Sequence, residues 1–440
     1  MADILPTGPE PELEDLLAAR PQLRMHGQDG LCLEDVPLNA IADRYGTPVW
    51  VYGAGTMRAR LAALRAAFAA EALPVDIHYA VKANDHLAIL NLFRSLGAGA
   101  DIVSLGEFLR ARQAGIAPAD IVYSGVGKSA AELEMALAAG IGQINAESAE
   151  EVEMISAIAA RAGLTACLAL RMNPDVDAGT HAKITTGLAD NKFGIAAAEI
   201  PPLYAHAARL PGIRMTGIAV HIGSQILSTE PYRLAYGKAA GMIRALRAAG
   251  QTVDSLDLGG GLGIGYRDEP GLTPRAFAAM ARQEIGGLDV RLMMEPGRFL
   301  TAPGGVLLAS VILEKRAAKR FVVLDAAMND LMRPAMYEAW HGILPVGAAA
   351  FQSPRGPADV VGPVCETADI FAQDRALPEF KPGARVALLD AGAYGAVMSS
   401  NYNARPRAAA VLVHGGQFQL ITRRQSHEAL WEDEIIPALD

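Results

Sequence analysis

Between residues 76 and 294, short apolar runs alternate with longer amphipathic stretches. The runs are Asp76–Val81, Ala100–Val103, Asp120–Tyr123, Gly142–Asn145, Ala166–Met172, Met215–His221, Val253–Leu258 and Val290–Met294. Each has strand length, and the near-continuous apolar character suits strands covered on both faces of a parallel sheet. Eight such units in succession predict an α/β fold built on a (β/α)8 barrel. The stretches between them carry helix-end signals. Ser104-Leu105-Gly106-Glu107, Ser129-Ala130-Ala131-Glu132 and Ser148-Ala149-Glu150-Glu151 read as capping boxes. In that motif the serine oxygen accepts from an orphan N–H and the glutamate reaches back to the serine's own N–H. Thr273-Pro274 marks a further start, with proline at the first helical position. Gly97, Gly115, Gly140, Gly163 and Gly250 mark stops.

The rhythm breaks from Asn173 to Gly194, a polar stretch longer than a usual connector and therefore read as a functional loop. After Gly304 the texture changes. Phe321–Asp325, Ala358–Val364, Arg385–Leu389, Ala408–His414 and Phe418–Ile421 read as strands between Pro/Gly turns. The chain is thus expected to comprise a mobile N-terminus (1–25), a segment lending a strand to a β domain (26–51), the barrel (52–303) and a second, mostly β, C-terminal domain (304–440).

At 440 residues the chain suits one large domain plus a second. A hydrophobic fraction of 51% with 20% charged residues is ordinary globular composition. The net charge of −9 argues against nucleic acid as a partner. Cys32, Cys167 and Cys365 form no CxxC pair, which argues against a disulfide framework or a metal site and fits a reducing compartment. The N-terminal stretch Met1–Glu14 is acidic and lacks the basic-then-apolar pattern of a signal peptide. The longest apolar stretch, Gly304–Leu313, is too short to span a bilayer. A cytoplasmic protein with no membrane partner is expected.

Candidate chemistry gathers at the predicted strand ends, where barrels place their active sites. Lys82 follows the first run, in Tyr79-Ala-Val-Lys-Ala-Asn84. A lysine there is partly desolvated, and its neutral amine can condense with an aldehyde. Taken alone it reads more simply as a surface lysine. His221 ends the sixth run and heads His221-Ile-Gly-Ser-Gln225. A lone histidine there is more often structural, but its flat ring can stack on an aromatic cofactor. The run Gly259-Gly-Gly-Leu-Gly263 follows the seventh strand and offers bare backbone amides to a phosphate. Glu295, in Glu295-Pro-Gly-Arg298, ends the eighth. It suits either a salt bridge with Arg298 or a hydrogen bond to a ring nitrogen. An amine for an aldehyde, amides for a phosphate and a carboxylate for a pyridine nitrogen are the needs of pyridoxal 5'-phosphate. The set is more specific than any member.

The chain after residue 30 resembles the fold-type III pyridoxal-phosphate-dependent decarboxylases, and among them the diaminopimelate decarboxylases. The matching runs are those around Lys82, His221, Asp257–Gly263 and Glu295–Arg298. With them stand Asn191-Lys-Phe-Gly194, Met332-Arg-Pro334 with Tyr337, Gly362-Pro-Val-Cys-Glu366 and Asp390-Ala-Gly-Ala-Tyr394. The resemblance implies decarboxylation of meso-2,6-diaminopimelate to L-lysine and carbon dioxide, the last step of lysine biosynthesis. It implies that Lys82 holds the cofactor covalently, that His221 lies on its face and that Glu295 binds its ring nitrogen. Ser224, Gly260, Gly261 and Gly263 would surround its phosphate, with Tyr394 adding a hydroxyl, and Gly297 and Arg298 would also bind the cofactor. Arg298, Arg333 and Tyr337 would hold the small-molecule substrate's distal carboxylate and Glu366 its distal ammonium, with Tyr394 also at the substrate. Cys365 would be the proton donor. Cys365 and Glu366 would come from the partner subunit of a homodimer with shared active sites.

Two arginines and a tyrosine make sense as a carboxylate clamp, which a plain ornithine or lysine substrate has little use for. The alternative for Arg333 and Tyr337 is an ordinary surface pair, and for Cys365 a small buried hydrophobe. Three other readings stay open. One is a related fold-type III decarboxylase acting on carboxynorspermidine, a D-amino acid, ornithine or lysine. Another is a racemase-like enzyme, against which Glu295 argues. The third is a catalytically dead protein of the same fold, against which Lys82 and Cys365 argue. Leu105 departs from the family pattern, which usually has glycine there. It either narrows the space beside the cofactor or repacks a helix start.

Overall fold

The computed structural model describes residues 10–179, 186–187 and 191–439. The chain divides into two compact units. One holds the chain up to Met57, Tyr266–Glu269 and the chain from Thr301 onward; the other holds Arg58–Gly265 and Pro270–Leu300.

The first unit opens with a short helix, Leu13–Ala18. β1 (Leu23–His26), β2 (Gly30–Leu33) and β3 (Val36–Pro37) follow as a small antiparallel sheet. The described part of this N-terminal stretch packs against the rest of the unit. Leu13 and Leu16 are buried, and Arg20 donates through Nε to Asp390 Oδ2 at 2.7 Å in a buried pair. Acidic and proline neighbours hide that short apolar spacing in the sequence. Residues 1–9 lie outside the described residues. β4 (Val49–Gly53) is buried along its whole length and is the part of the 26–51 segment that reaches the large sheet.

The second unit is the barrel. Its strands are β5 (Val75–Ala80), β6 (Gly99–Ile102), β7 (Ile121–Tyr123), β8 (Gln143–Ala146) and β9 (Ala166–Asn173). A two-residue β10 (Ile195–Ala196) pairs with the end of β9. β11 (Ile213–Ala219), β12 (Ser255–Asp257) and β13 (Arg291–Met294) complete the set. All pairings are parallel, β13 meets β5 and β8 meets β9, so the eight long strands close. The apolar runs become the barrel wall: Ile102, Ile121, Ile144, Leu170, Ile218 and Leu256 are fully buried, each contributing roughly 1.5–3 kcal/mol by leaving water. Of the polar loop expected across Asn173–Gly194, residues 180–185 and 188–190 lie outside the described residues.

The helix starts fall where the serines predict, with one correction. Ser129 and Glu132 form the full reciprocal box. Ser104 and Ser148 accept from Glu107 and Glu151 N–H, but their glutamates turn elsewhere. Glu107 Oε2 accepts from Val103 N and Glu151 Oε2 from Glu147 N. A buried partner competes for Glu151, which also pairs with Lys128 at 2.7 Å.

Back in the first unit, β14 (Gly305–Arg316) is the hub of the large sheet. It pairs with β4, with β15 (Arg320–Leu324) and with β19 (Arg385–Leu388). β16 (Ile343–Pro345) pairs with β19, and β17 (Arg355–Val361) joins β15 to β18 (Ile370–Pro378). β20 (Ala409–His414) and β21 (Gln417–Thr422) complete it on the far side of β4. The sequence reading anticipated strands at β15, β17, β19, β20 and β21 but not at β14, β16 or β18. β14 carries the apolar stretch weighed above for its membrane-spanning length, and its second half runs out into exposed charged residues.

Candidate active site

The C-terminal ends of the barrel strands bring the sequence-predicted barrel residues together. Lys82 does not end β5 itself. It stands two residues beyond, on a single 3-10 turn, Val81–Ala83. Its Nζ lies 3.0 Å from Asp101 Oδ2, with the lysine side chain 34% exposed and the aspartate fully buried. The amine is therefore paired as well as partly desolvated. The Glu295–Arg298 turn sits directly on this one: Ala80 N donates to Pro296 O at 3.3 Å. A Cβ at Gly297 would stand 2.9 Å from Ala83 Cβ, so glycine is what allows the two turns to touch.

Glu295 lies just past β13 and is buried. Its Oε1 accepts from Ser124 Oγ at 3.2 Å and from Asn145 Nδ2 at 3.3 Å. Burial pushes its carboxyl well above the usual carboxylate range, and the negative charges of Asp101 and Asp257 push the same way, with Lys82 opposing weakly. A protonated ring nitrogen is the kind of partner that would offset that cost and let Glu295 ionise.

His221 follows β11. Its Nδ1 accepts from Gly260 N at 3.1 Å, which leaves Nε2 with the proton in the neutral ring. Desolvation holds this imidazole well below its ordinary pKa, and Arg171 and Lys82 add to the effect. The ring is thus neutral at pH 7, a flat surface rather than a cation. Gly260 also lies against the β13 end, where a Cβ would come within 2.2 Å of Glu295 O. Gly259 and Gly261 have positive φ, and Gly263 N donates to Ile226 O. Gly260 and Gly263 amides therefore already serve the turn. Arg298, buried, donates to Ser224 Oγ at 3.0 Å, joining two further expected residues.

These side chains fit pyridoxal phosphate on their own chemistry. A lysine amine stands in Coulombic reach of a buried carboxyl whose charged form is disfavoured and of a neutral imidazole, beside a turn that side chains would fill. Asp101, Ser124, Asn145 and Asp257 complete the shell and escaped the motif reading as functional residues. Their signal was a single polar residue inside an apolar run, as in Ala100-Asp101-Ile102. Leu105 occupies the first position of the helix Leu105–Gln113, its N–H held by Glu132 Oε1 at 3.0 Å. No left-handed backbone there calls for glycine.

The remaining expected residues lie in the sheet unit. Cys365 and Glu366 are exposed. Cys365 N donates to Asn403 Oδ1 at 3.0 Å, and Glu366 Oε2 accepts from Tyr402 Oη at 2.9 Å. Asp369 shapes their loop by accepting from Val364 N and Met328 N, both at 2.7 Å. Arg333 and Tyr337 bound the helix Arg333–Tyr337. Arg333 is buried, with its guanidinium 4.6 Å from the centre of the Tyr266 ring. Tyr394 ends its motif in the left-handed region, at φ 55°. Among the described residues no cluster of three or more His, Cys, Asp or Glu side chains is arranged to hold a metal. Nor is any helix there long and apolar enough to cross a membrane.

Residues 54–302 match the family model described as the pyridoxal-binding domain of pyridoxal-dependent decarboxylases. The chain is 48% identical to a diaminopimelate decarboxylase of Zymomonas mobilis, over 92% of this chain and 96% of that one. The chain belongs to the diaminopimelate decarboxylase family. Solved structures agree. The diaminopimelate decarboxylase of Helicobacter pylori, complexed with L-lysine, superposes with a TM-score of 0.87 at 39% identity, covering 90% of this chain and 98% of that one. That of M. jannaschii, also with L-lysine, gives 0.90 at 32%, covering 95% and 99%. For a member of this family, the cofactor is pyridoxal phosphate and the barrel-end cluster is its expected seat.

Proposed function

We propose that the protein removes carbon dioxide from the D-configured centre of meso-2,6-diaminopimelate and releases L-lysine. The observation that carries this reading is the co-location of Lys82, His221 and Glu295 at one barrel end, in a chain of this family. Bound pyridoxal phosphate supplies an electron sink for the pair left by the departing carboxylate. Lys82 would hold the cofactor through its amine. Glu295 keeps a proton on the ring nitrogen, which deepens that sink. His221 covers one face without adding charge. Ser224, Gly260, Gly261, Gly263, Gly297, Arg298 and Tyr394 are the proposed phosphate shell; the spent amides of Gly260 and Gly263 shift the weight onto the others.

At the far end of the substrate, Arg298, Arg333, Tyr337 and Tyr394 are proposed to hold the carboxylate, and Glu366 the ammonium. Cys365 returns a proton to the α-carbon. The reading includes a cytoplasmic homodimer in which Cys365 and Glu366 serve the partner's site. Carbon-dioxide release from meso-diaminopimelate, ornithine and lysine tests the substrate. Turnover of meso-diaminopimelate far above the other two is expected. Preference for ornithine or lysine would overturn the proposal.

A further inference from the structure

We infer that His341 is a positioning residue that aims Arg333 while leaving its charge intact. The inference rests on the reading of Arg333 as a holder of the substrate's distal carboxylate. Arg333 Nη1 lies 2.7 Å from His341 Nε2, and both residues are buried. A guanidinium has only donors and keeps its proton, so Nε2 must accept. The other ring nitrogen, Nδ1, lies 2.7 Å from Leu389 O, which can only accept. The Nδ1–H neutral tautomer alone satisfies both contacts.

The ring itself is fixed. Arg375 Nη1 donates to His341 O at 2.9 Å, and the Tyr266 ring meets the imidazole edge-on at 5.4 Å and 77°. Tyr266 in turn presents its face to the Arg333 guanidinium and its carbonyl to Arg20 Nη2 at 2.6 Å. One plane of Arg333 is thereby set by an aromatic face and one edge by an imidazole. The choice of acceptor matters. A carboxylate in the place of His341 would orient the guanidinium and also neutralise it, weakening its pull on an anionic substrate group. A neutral imidazole orients it and adds no counter-charge of its own. Leu389 directly precedes Asp390, so the same ring ties Arg333 to the start of the Asp390–Tyr394 motif.

The test is steady-state kinetics of the holoenzyme with meso-diaminopimelate, alongside the cofactor's visible absorbance. His341→Leu is expected to raise KM about tenfold or more, the scale of a lost hydrogen bond to a charged group, with kcat and absorbance little changed. His341→Gln, whose side-chain oxygen can still accept from Arg333, is expected to recover most of that loss. His341→Asn, too short to reach, is not. His341→Glu should raise KM further than His341→Gln despite similar reach. Arg333→Leu combined with His341→Leu should be no worse than Arg333→Leu alone. If Arg333→Leu leaves KM unchanged, the clamp reading fails and the inference with it. If Arg333→Leu raises KM but His341→Leu does not, the clamp stands and the positioning role is overturned. Should His341→Leu not fold, equal KM values for the Gln and Asn variants overturn it instead.

Discussion

Glu295 shows how one residue's role is set by its surroundings. Ser124 and Asn145 hold its oxygen while the loss of water, with Asp101 and Asp257, disfavours its charged form. Glu295→Gln keeps an acceptor oxygen for both donors and removes only the capacity to become negative. Cofactor-free protein should therefore melt at a little-changed temperature near pH 7, since the amide removes only a charge that the site already disfavours. Turnover should fall by about 10²-fold or more, in the range for losing a proton-handling group. Calorimetry and CO2-release kinetics on the same variant check both halves. Glu107 titrates differently. Burial raises its carboxyl to about 7, with the Val103 N–H and Lys82 opposing. Its folded-state value lies above the ordinary 4.5. Between the two the folded chain binds more protons, so its contribution to stability grows as pH falls through that window and is lost above pH 7. Glu107→Gln should stabilise the cofactor-free protein above pH 7, by on the order of 2 kcal/mol. The gain should vanish towards pH 4.5. Urea midpoints of the two proteins at pH 8 and pH 5 would display that slope, and parallel behaviour would refute it.

At the scale of elements, the turns after the strands matter more than the strands. Lys82 and His221 both sit two residues past the last paired position, the first on a turn bonded to Pro296 and the second bonded to Gly260. Gly260 is the tightest junction, with the β13 end where its Cβ would be. Gly260→Ala must displace either that carbonyl or the amide that holds His221 Nδ1. It should weaken cofactor retention at least about tenfold, a small geometric error at a preorganised site, and fluorescence titration of the apo-protein with pyridoxal phosphate would measure it. The barrel was legible because its strands are apolar runs bounded by capped helices, and the site because its motifs fall at those boundaries. The sheet unit was less so. β14 looked like one apolar run because its buried half faces β4 and β19 while its exposed half is charged. β18 mixes Gln373, Asp374 and Arg375 into its middle, and the last of these is buried among partners far along the chain, His341 O, Glu10 and the Trp340 ring. Long-range partners of that kind leave no local period to read. The same holds for Asp101, Asn145 and Asp257, whose meaning lies across the barrel rather than along the chain.

For the whole molecule, the open matter is which copy of the chain supplies which group. Cys365 and Glu366 stand exposed on a loop braced by Asp369, Tyr402 and Asn403. An exposed, well-braced pair of polar groups suits a role in another subunit's site, and a two-fold interface would deliver it twice. If that is how the enzyme works, Lys82→Ala and Cys365→Ala homodimers are each impaired for a different reason. Mixing them after subunit exchange places an intact Lys82 and an intact Cys365 in the same site of the mixed dimer, once per dimer. At equal amounts and random pairing about half the dimers are mixed, each with one working site of two, so activity should return to about a quarter of wild type. Cofactor absorbance should track the Lys82 content alone. Recovery would place the thiol in the partner's site; with exchange verified by differently tagged chains, no recovery would place it in its own, and the shared-site arrangement would fall.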